Sequence, residues 1–321
     1  MAWPDSRPIW GRQLEGAQAN IGLIARTIAR YEPVAMCANP RSARHAKTVC
    51  GPGVEVITTI PVDDCWMRDS GPIFRVDGAG RVDAIGLNFN GWGKKQTHRH
   101  DALVARRVAA HAGVPFTAAG FVSEGGAIET DGHGTLMATR SSILNPNRNP
   151  GMTLPALAAA MTAAYGASKV IWFPGIRGHD ITDDHVDGTS RFLAEATALV
   201  QYPARASDHD IWSNDERQQY DVLSRATTAH ERRIKTSKLI GPIWNRIRRH
   251  KNPNFVDSYV NYYVCNGAVI CAQFGDKHAD EAVATKLAQL FPTRRVVALN
   301  IDNLGAGGGG IHCVTQPQPH P

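Results

Sequence analysis

Apolar and polar positions along this chain come in short runs, and the runs repeat in a fixed order. Ile73–Val76 and Val82–Phe89 flank Asp77-Gly78-Ala79-Gly80, which predicts two strands joined by a tight turn. A helical run follows from about Asp101 to His111, closed by Gly113, and Val114–Thr117 predicts a third strand. The order then recurs. Ala127–Thr130 and Thr135–Thr139 flank Asp131-Gly132-His133-Gly134, a helix is predicted from Leu154 to Tyr165 with Gly166 at its end, and Lys169–Phe173 predicts a strand. Gly188–Leu193 and Ala198–Tyr202 form another pair. Tyr259–Cys265 and Ala268–Phe274 flank Asn266-Gly267, a strong hairpin signal, and are followed by a helix at Ala279–Leu290 and a strand at Arg295–Asn300.

Each unit is strand, strand, helix, strand, with a period of roughly 60 residues, which points to a radial repeat. About five such units fit the length, and polar residues at the inner strand ends would converge on one axis. No segment separates independent domains, so one α/β domain over 1–321 is expected.

Composition narrows the class. The chain has 321 residues, 43% hydrophobic and 20% charged, ordinary for a soluble globular protein. No apolar run approaches the ~20 residues of a membrane span. The N-terminus has no basic segment leading into an apolar one, so no membrane partner and a cytoplasmic location are expected. Cys37, Cys50, Cys65, Cys265, Cys271 and Cys313 are scattered without Cys-x-x-Cys spacing, as expected of reduced thiols, most of them buried. The net charge of +6 arises largely from 232–251. That stretch holds Gly241 and Pro242 and no aromatic ladder, so it reads as a solvated surface insertion rather than a nucleic-acid site.

Four segments carry candidate chemistry. Asp63-Asp64-Cys65-Trp66-Met67-Arg68-Asp69-Ser70-Gly71-Pro72 packs carboxylates, an arginine and a tryptophan against a turn. It reads either as a capped polar loop or as a carboxylate gripping a planar cation beside the Trp66 face. Glu124-Gly125-Gly126 enters a strand, where glycines let backbone approach a ligand. His185 and Asp187, two apart, would share one face of a strand. They could serve as a general acid held protonated by carboxylates, or hold a divalent cation, or lie in an acidic surface loop. Gly307-Gly308-Gly309-Gly310 runs into Ile311-His312-Cys313-Val314-Thr315, which reads as a strand. No helix or lysine follows to make a phosphate loop, so the glycines are read as letting the Cys313 thiol reach a flat, crowded carbon. Several carboxylates around a thiol disfavour the thiolate unless a cation sits between them, and a cationic substrate would supply it.

With these residues in view the chain resembles the agmatine deiminases of the bacterial-type peptidyl-arginine deiminase family, within the guanidino-group-modifying superfamily. The resemblance runs through Trp66 to Pro72, Asn88-Phe89-Asn90-Gly91-Trp92-Gly93, Glu124-Gly125-Gly126, Leu144 to Pro150, His185-Val186-Asp187, Ser258-Tyr259-Val260-Asn261 and Gly307 to Gln316. It implies a five-bladed α/β propeller of ββαβ modules with pseudo-fivefold symmetry. It implies Cys313 as nucleophile, His185 as general acid and base, and Asp69 and Asp187 as the carboxylates that grip a guanidinium. Glu124 would stand near the site, and Trp66, Arg68, Trp92, Gly309 and Gly310 would line the substrate. The implied partner is a small cationic guanidino compound, with a homodimer as the family's common assembly, no metal or organic cofactor, and a place in polyamine biosynthesis. Where the family pattern usually carries an acidic residue, a glycine and an asparagine, this chain has Ile181, Asp184 and Gly310, which leaves the far end of the substrate open. The chain starts where the family's first strand is already under way, so a shortened or misassigned N-terminus is expected.

Overall fold

The computed structural model describes residues 1–320. They form two compact units, Met1–Met67 with Leu239–Thr315, and Arg68–Lys238 with the residues from Gln316 onward.

The second unit holds three three-stranded sheets built on one scheme. Ile73–Val76 pairs antiparallel with Val82–Gly86, which pairs parallel with Phe116–Ala118. Ile128–Thr130, Thr135–Thr139 and Lys169–Phe173 repeat that arrangement. In the third sheet Thr197–Tyr202 lies between Ser190–Ala194, its antiparallel neighbour, and Lys235–Ile240. An antiparallel neighbour needs only a short turn, whereas a parallel one needs a crossover, and helices Val104–His111 and Leu154–Tyr165 supply it. Helix Ile211–Arg225 fills the same place in the third sheet. The 154–165 helix is punctuated locally: the Thr153 hydroxyl accepts from the Ala156 N–H, and Gly166 closes it in the left-handed conformation.

Strand Thr135–Thr139 is buried along its whole length because both of its faces meet a core. Leu136 and Ala138 point into one cluster with Ile85, Leu157 and Met161; Met137 points into another with Phe173, Val200 and Leu223. The first unit carries the sheet Tyr263–Cys265, Ala268–Ala272, Arg295–Leu299, crossed by helix Lys277–Leu290. It also carries a two-stranded parallel sheet, Val34–Cys37 with Val54–Ile57, crossed by Ala43–Cys50.

Three expectations change. Residues 232–251 are a solvated insertion only in part: Arg232, Arg233, Arg246, Arg249 and Lys251 are exposed, but Lys235–Ile240 is a strand, and the Lys238 ammonium lies 3.5 Å from the Tyr202 ring and 4.3 Å from Tyr220. Ile311–Thr315 is a turn, not a strand, because the Thr315 N–H bonds back to the His312 carbonyl at 3.1 Å and its hydroxyl donates to the Ile311 carbonyl at 2.9 Å. Val186–Gly188 is a 3-10 turn preceded by His185, so His185 and Asp187 do not share a strand face. Cys37, Cys50, Cys65, Cys265 and Cys271 are buried thiols and Cys313 is partly exposed. No helix among the described residues is long and apolar enough to cross a membrane.

Candidate functional site

In the second unit the sequence-predicted residues Asp69, Glu124, His185 and Asp187 come together, all buried. Gly126 sits at their centre. A Cβ placed on it would fall 2.8 Å from His185 Nδ1, 2.9 Å from Asp69 Oδ1 and 3.1 Å from Asp187 Oδ2. The backbone therefore approaches the ionisable side chains themselves, which explains the Glu-Gly-Gly segment more directly than approach to a ligand. The Gly126 N–H donates to Asp69 Oδ1 at 3.0 Å, and the Trp92 indole N–H donates to Asp69 Oδ2 at 2.9 Å. Trp92 thus orients a carboxylate, with its own ring edge-on to Phe89 at 4.9 Å.

Both ring nitrogens of His185 face carboxylates, Nε2 at 3.2 Å from Glu124 and Nδ1 at 3.7 Å from Asp69. Burial alone pulls the imidazolium down, but Asp69, then Glu124 and Asp187, overcome it and hold His185 at about 9. At that value the ring is a cation at neutral pH. Among the described residues no group of three or more His, Cys, Asp or Glu is arranged to hold a metal ion.

The carboxylates differ. Burial raises Asp69, and the charge of Glu124 adds to that against the pull of His185. Burial likewise lifts Asp187 to about 6. Burial works the same way on Glu124, yet its bonds to His185 and the charge of Arg148 outweigh it and keep it below the ordinary range.

Arg148 and Asp183, legible in the sequence only as members of a matched motif and an acidic segment, also belong to this cluster. Arg148 Nε donates to both Glu124 oxygens, at 2.8 and 3.0 Å, and its Nη1 donates to Asp183 at 2.8 Å. Lys95 Nζ donates to the same Asp183 oxygen at 2.7 Å and to the Ile181 carbonyl at 3.0 Å. Asp183 and Asp184 both carry positive φ, 61° and 72°. Their carbonyls are tied by the Ser141 hydroxyl at 2.7 Å and the Thr139 hydroxyl at 2.6 Å. Asp184 adopts the backbone conformation that favours the glycine of the family pattern. Arg68 is buried, its charge acting on Glu129 and Tyr165.

In the first unit the Cys313 turn rests on Asn261. Asn261 Oδ1 accepts from the His312 N–H at 3.0 Å, and its Nδ2 donates to Cys313 Sγ at 3.2 Å. Asn261 was legible only as part of a matched motif, and its role as a support for the thiol was not. A Cβ on Gly310 would meet Asn261 Oδ1 at 2.3 Å, and one on Gly309 would meet the Trp66 ring at 2.3 Å. Trp66 is buried and stacks on Trp10 at 5.9 Å. The glycines preceding Cys313 let its loop lie against an indole and an amide.

The sequence profile of the Porphyromonas-type peptidyl-arginine deiminase family matches residues 1–319. The chain belongs to this family. A Streptomyces coelicolor protein named "Putative agmatine deiminase" is 38% identical over 99% of this chain and 95% of its own length. The agmatine deiminase of Stutzerimonas stutzeri is 32% identical over 100% of this chain and 92% of its own. The solved structure of the Enterococcus faecalis agmatine deiminase matches with a TM-score of 0.90 at 24% identity, covering 98% of this chain and 91% of that one. At that identity it bears on the fold, a mixed α/β architecture of several small sheets. Family membership makes the protein a hydrolase of carbon–nitrogen bonds in guanidino groups.

Proposed function

We propose that the protein hydrolyses agmatine to N-carbamoylputrescine and ammonia through a covalent cysteine intermediate. One observation carries the reading. Three buried carboxylates, Asp69, Glu124 and Asp187, converge on the His185 imidazolium around Gly126. Carboxylates gathered in this way favour a cationic ligand, and a guanidinium is a planar monocation whose N–H groups fit paired carboxylates. The names of the relatives point to the same substrate.

In this mechanism Asp69 and Asp187 accept hydrogen bonds from the guanidinium and hold it in plane. The Cys313 thiolate adds to the central carbon, and His185 gives its proton to the departing nitrogen, which leaves as ammonia. Water then adds to the S-alkylthiouronium with His185 taking one of its protons, and collapse forms the ureido carbonyl, expels the thiolate and passes the remaining hydroxyl proton to the released ammonia, which becomes ammonium. Water supplies the oxygen of the product, and the scheme runs on side chains alone. The reading carries with it the family's five-bladed propeller over 1–321 as a single domain.

Ammonia and ureido release across agmatine, arginine and peptidyl arginine test the proposal. Agmatine is expected to be turned over best. Far better turnover of another member would overturn the substrate, ammonia-free transfer of the amidino group to an amine would make the protein an amidinotransferase, and no ammonia from any member would overturn deimination.

A further inference from the structure

We infer that Arg148 is the positioning residue of the acid–base pair: one buried guanidinium holds the Glu124 carboxylate against His185 and pins the backbone that delivers His185.

The geometry has two halves. The Nε side of Arg148 is spent on Glu124, whose Oε2 faces His185 Nε2 at 3.2 Å. The other side is spent on the segment just before His185: Nη1 donates to Asp183 at 2.8 Å and Nη2 to the Thr182 carbonyl at 2.8 Å. Asn147 Oδ1 also accepts from Nη1, at 3.0 Å. Neither Arg148 nor Glu124 has any side-chain exposure, so solvent cannot substitute for either partner. The segment being pinned is the one with two consecutive left-handed aspartates, a conformation that persists only where its surroundings over-determine it. A lysine could keep the charge but not the fork, because a point charge cannot serve Glu124, Asp183 and the Thr182 carbonyl in one plane.

The charged groups that act on the pair are few. His185 faces Asp69, Glu124 and Asp187, and its own charge reaches Asp184. Glu124 faces His185 and Arg148, and its charge reaches Asp69. Asp183 faces Arg148 and Lys95. Removing the guanidinium leaves Glu124 buried among Asp69 and Asp187 with only His185 as counter-charge. Its carboxyl should then hold its proton to higher pH, and the ionised pair should form later on the pH scale.

The inference rests on the proposed deimination for its kinetic readout and not for its ionisation readout. The experiment compares wild type, Arg148→Met and Arg148→Lys by carboxyl carbon NMR of glutamate-labelled resting protein and by the pH profile of kcat on agmatine. In Arg148→Met the Glu124 signal should titrate above the ordinary glutamate value of about 4.3, and the acid limb of kcat should move up with it. In Arg148→Lys the acid limb should stay near wild type while kcat falls by about 10²-fold with little change in KM, because orientation is lost and charge is kept. A wild-type Glu124 titration and a wild-type pH profile in a folded Arg148→Met overturn the inference. If Arg148→Met does not fold, an unchanged kcat in Arg148→Lys overturns it. If wild type releases no ammonia, the proposed function fails, and the Glu124 titration still decides this inference.

Discussion

Glu124 receives two hydrogen bonds from one nitrogen of Arg148, at 2.8 and 3.0 Å, while its Oε2 lies 3.2 Å from His185. The carboxylate is shared between a permanent cation and a titrating one, and after Asp69 it is the group that most raises His185.

Glu124→Gln tests that sharing. His185 sits at about 9 in the folded protein against 6.5 when unconstrained. A raised histidine contributes stability fully below the unfolded value and loses it as pH rises through the folded value. Wild-type unfolding free energy should fall between about pH 6.5 and 9, by on the order of 3 kcal/mol. Glu124→Gln should shrink that fall in part, since Asp69 and Asp187 still raise His185, and destabilise by a further ~3 kcal/mol by leaving Arg148 half-paired. Urea titrations across the range read both effects, and an unchanged slope would refute the pairing.

Gly126→Ala adds one methyl against His185, Asp69 and Asp187, each closer than van der Waals contact permits. The side chains have to part, and displacement of about 1 Å costs on the order of 10² in rate. We expect kcat/KM for agmatine to drop by about that factor with the protein still folded by circular dichroism. Wild-type kinetics would show that the four groups need not hold this geometry to work.

Asp187, lifted by burial to about 6, gains a countercharge when a guanidinium binds. Its pKa then falls, so binding near pH 6 releases a proton and affinity strengthens as pH rises through that value. Calorimetry of agmatine binding to Cys313→Ser, in two buffers of different ionisation enthalpy, should show proton release at about pH 5.5. Equal heats in both buffers at the lower pH would remove Asp187 from the binding step.

Asn261→Ala removes the amide that donates to the Cys313 sulfur and accepts from the His312 N–H. A side-chain hydrogen bond is worth about 1 kcal/mol, so alkylation of Cys313 by iodoacetamide at neutral pH should slow about fivefold. Cys313→Ser should instead abolish turnover and leave agmatine binding intact. Full turnover in Cys313→Ser would exclude the covalent route.

Much of the fold was legible because its punctuation is local. The 154–165 helix lies between Thr153 and Gly166, and the turn at Asn266-Gly267 fixes its hairpin; the positions of both follow from the residues that make them. The Lys235–Ile240 strand was missed because Lys235, Thr236, Ser237 and Lys238 show no apolar alternation, and Lys238 is held by two aromatic rings that come from elsewhere in the chain. The turn at 311–315 keeps strand composition, and it is set by Asn261, about fifty residues earlier in sequence. Arg148 was invisible as a functional residue for a similar reason: Glu124, Thr182 and Asp183 meet it only in three dimensions.

Asp184 leaves the protein with stability it does not use. The residue holds a left-handed backbone, a conformation that costs a side-chain-bearing residue roughly 1–2 kcal/mol. Its carboxyl is buried, and burial and then the charge of Asp215 raise it well above the ordinary aspartate value. An aspartate raised in this way weakens the folded state as pH climbs past its unfolded value, with the full penalty reached above its folded value. The loop before His185 is thus frustrated in its resting form. Replacing Asp184 with glycine should relax both the backbone and the charge at the cost of the hydrogen bond that its carboxylate accepts from the Ile176 N–H, so that the melting temperature relative to wild type rises from acidic to neutral pH.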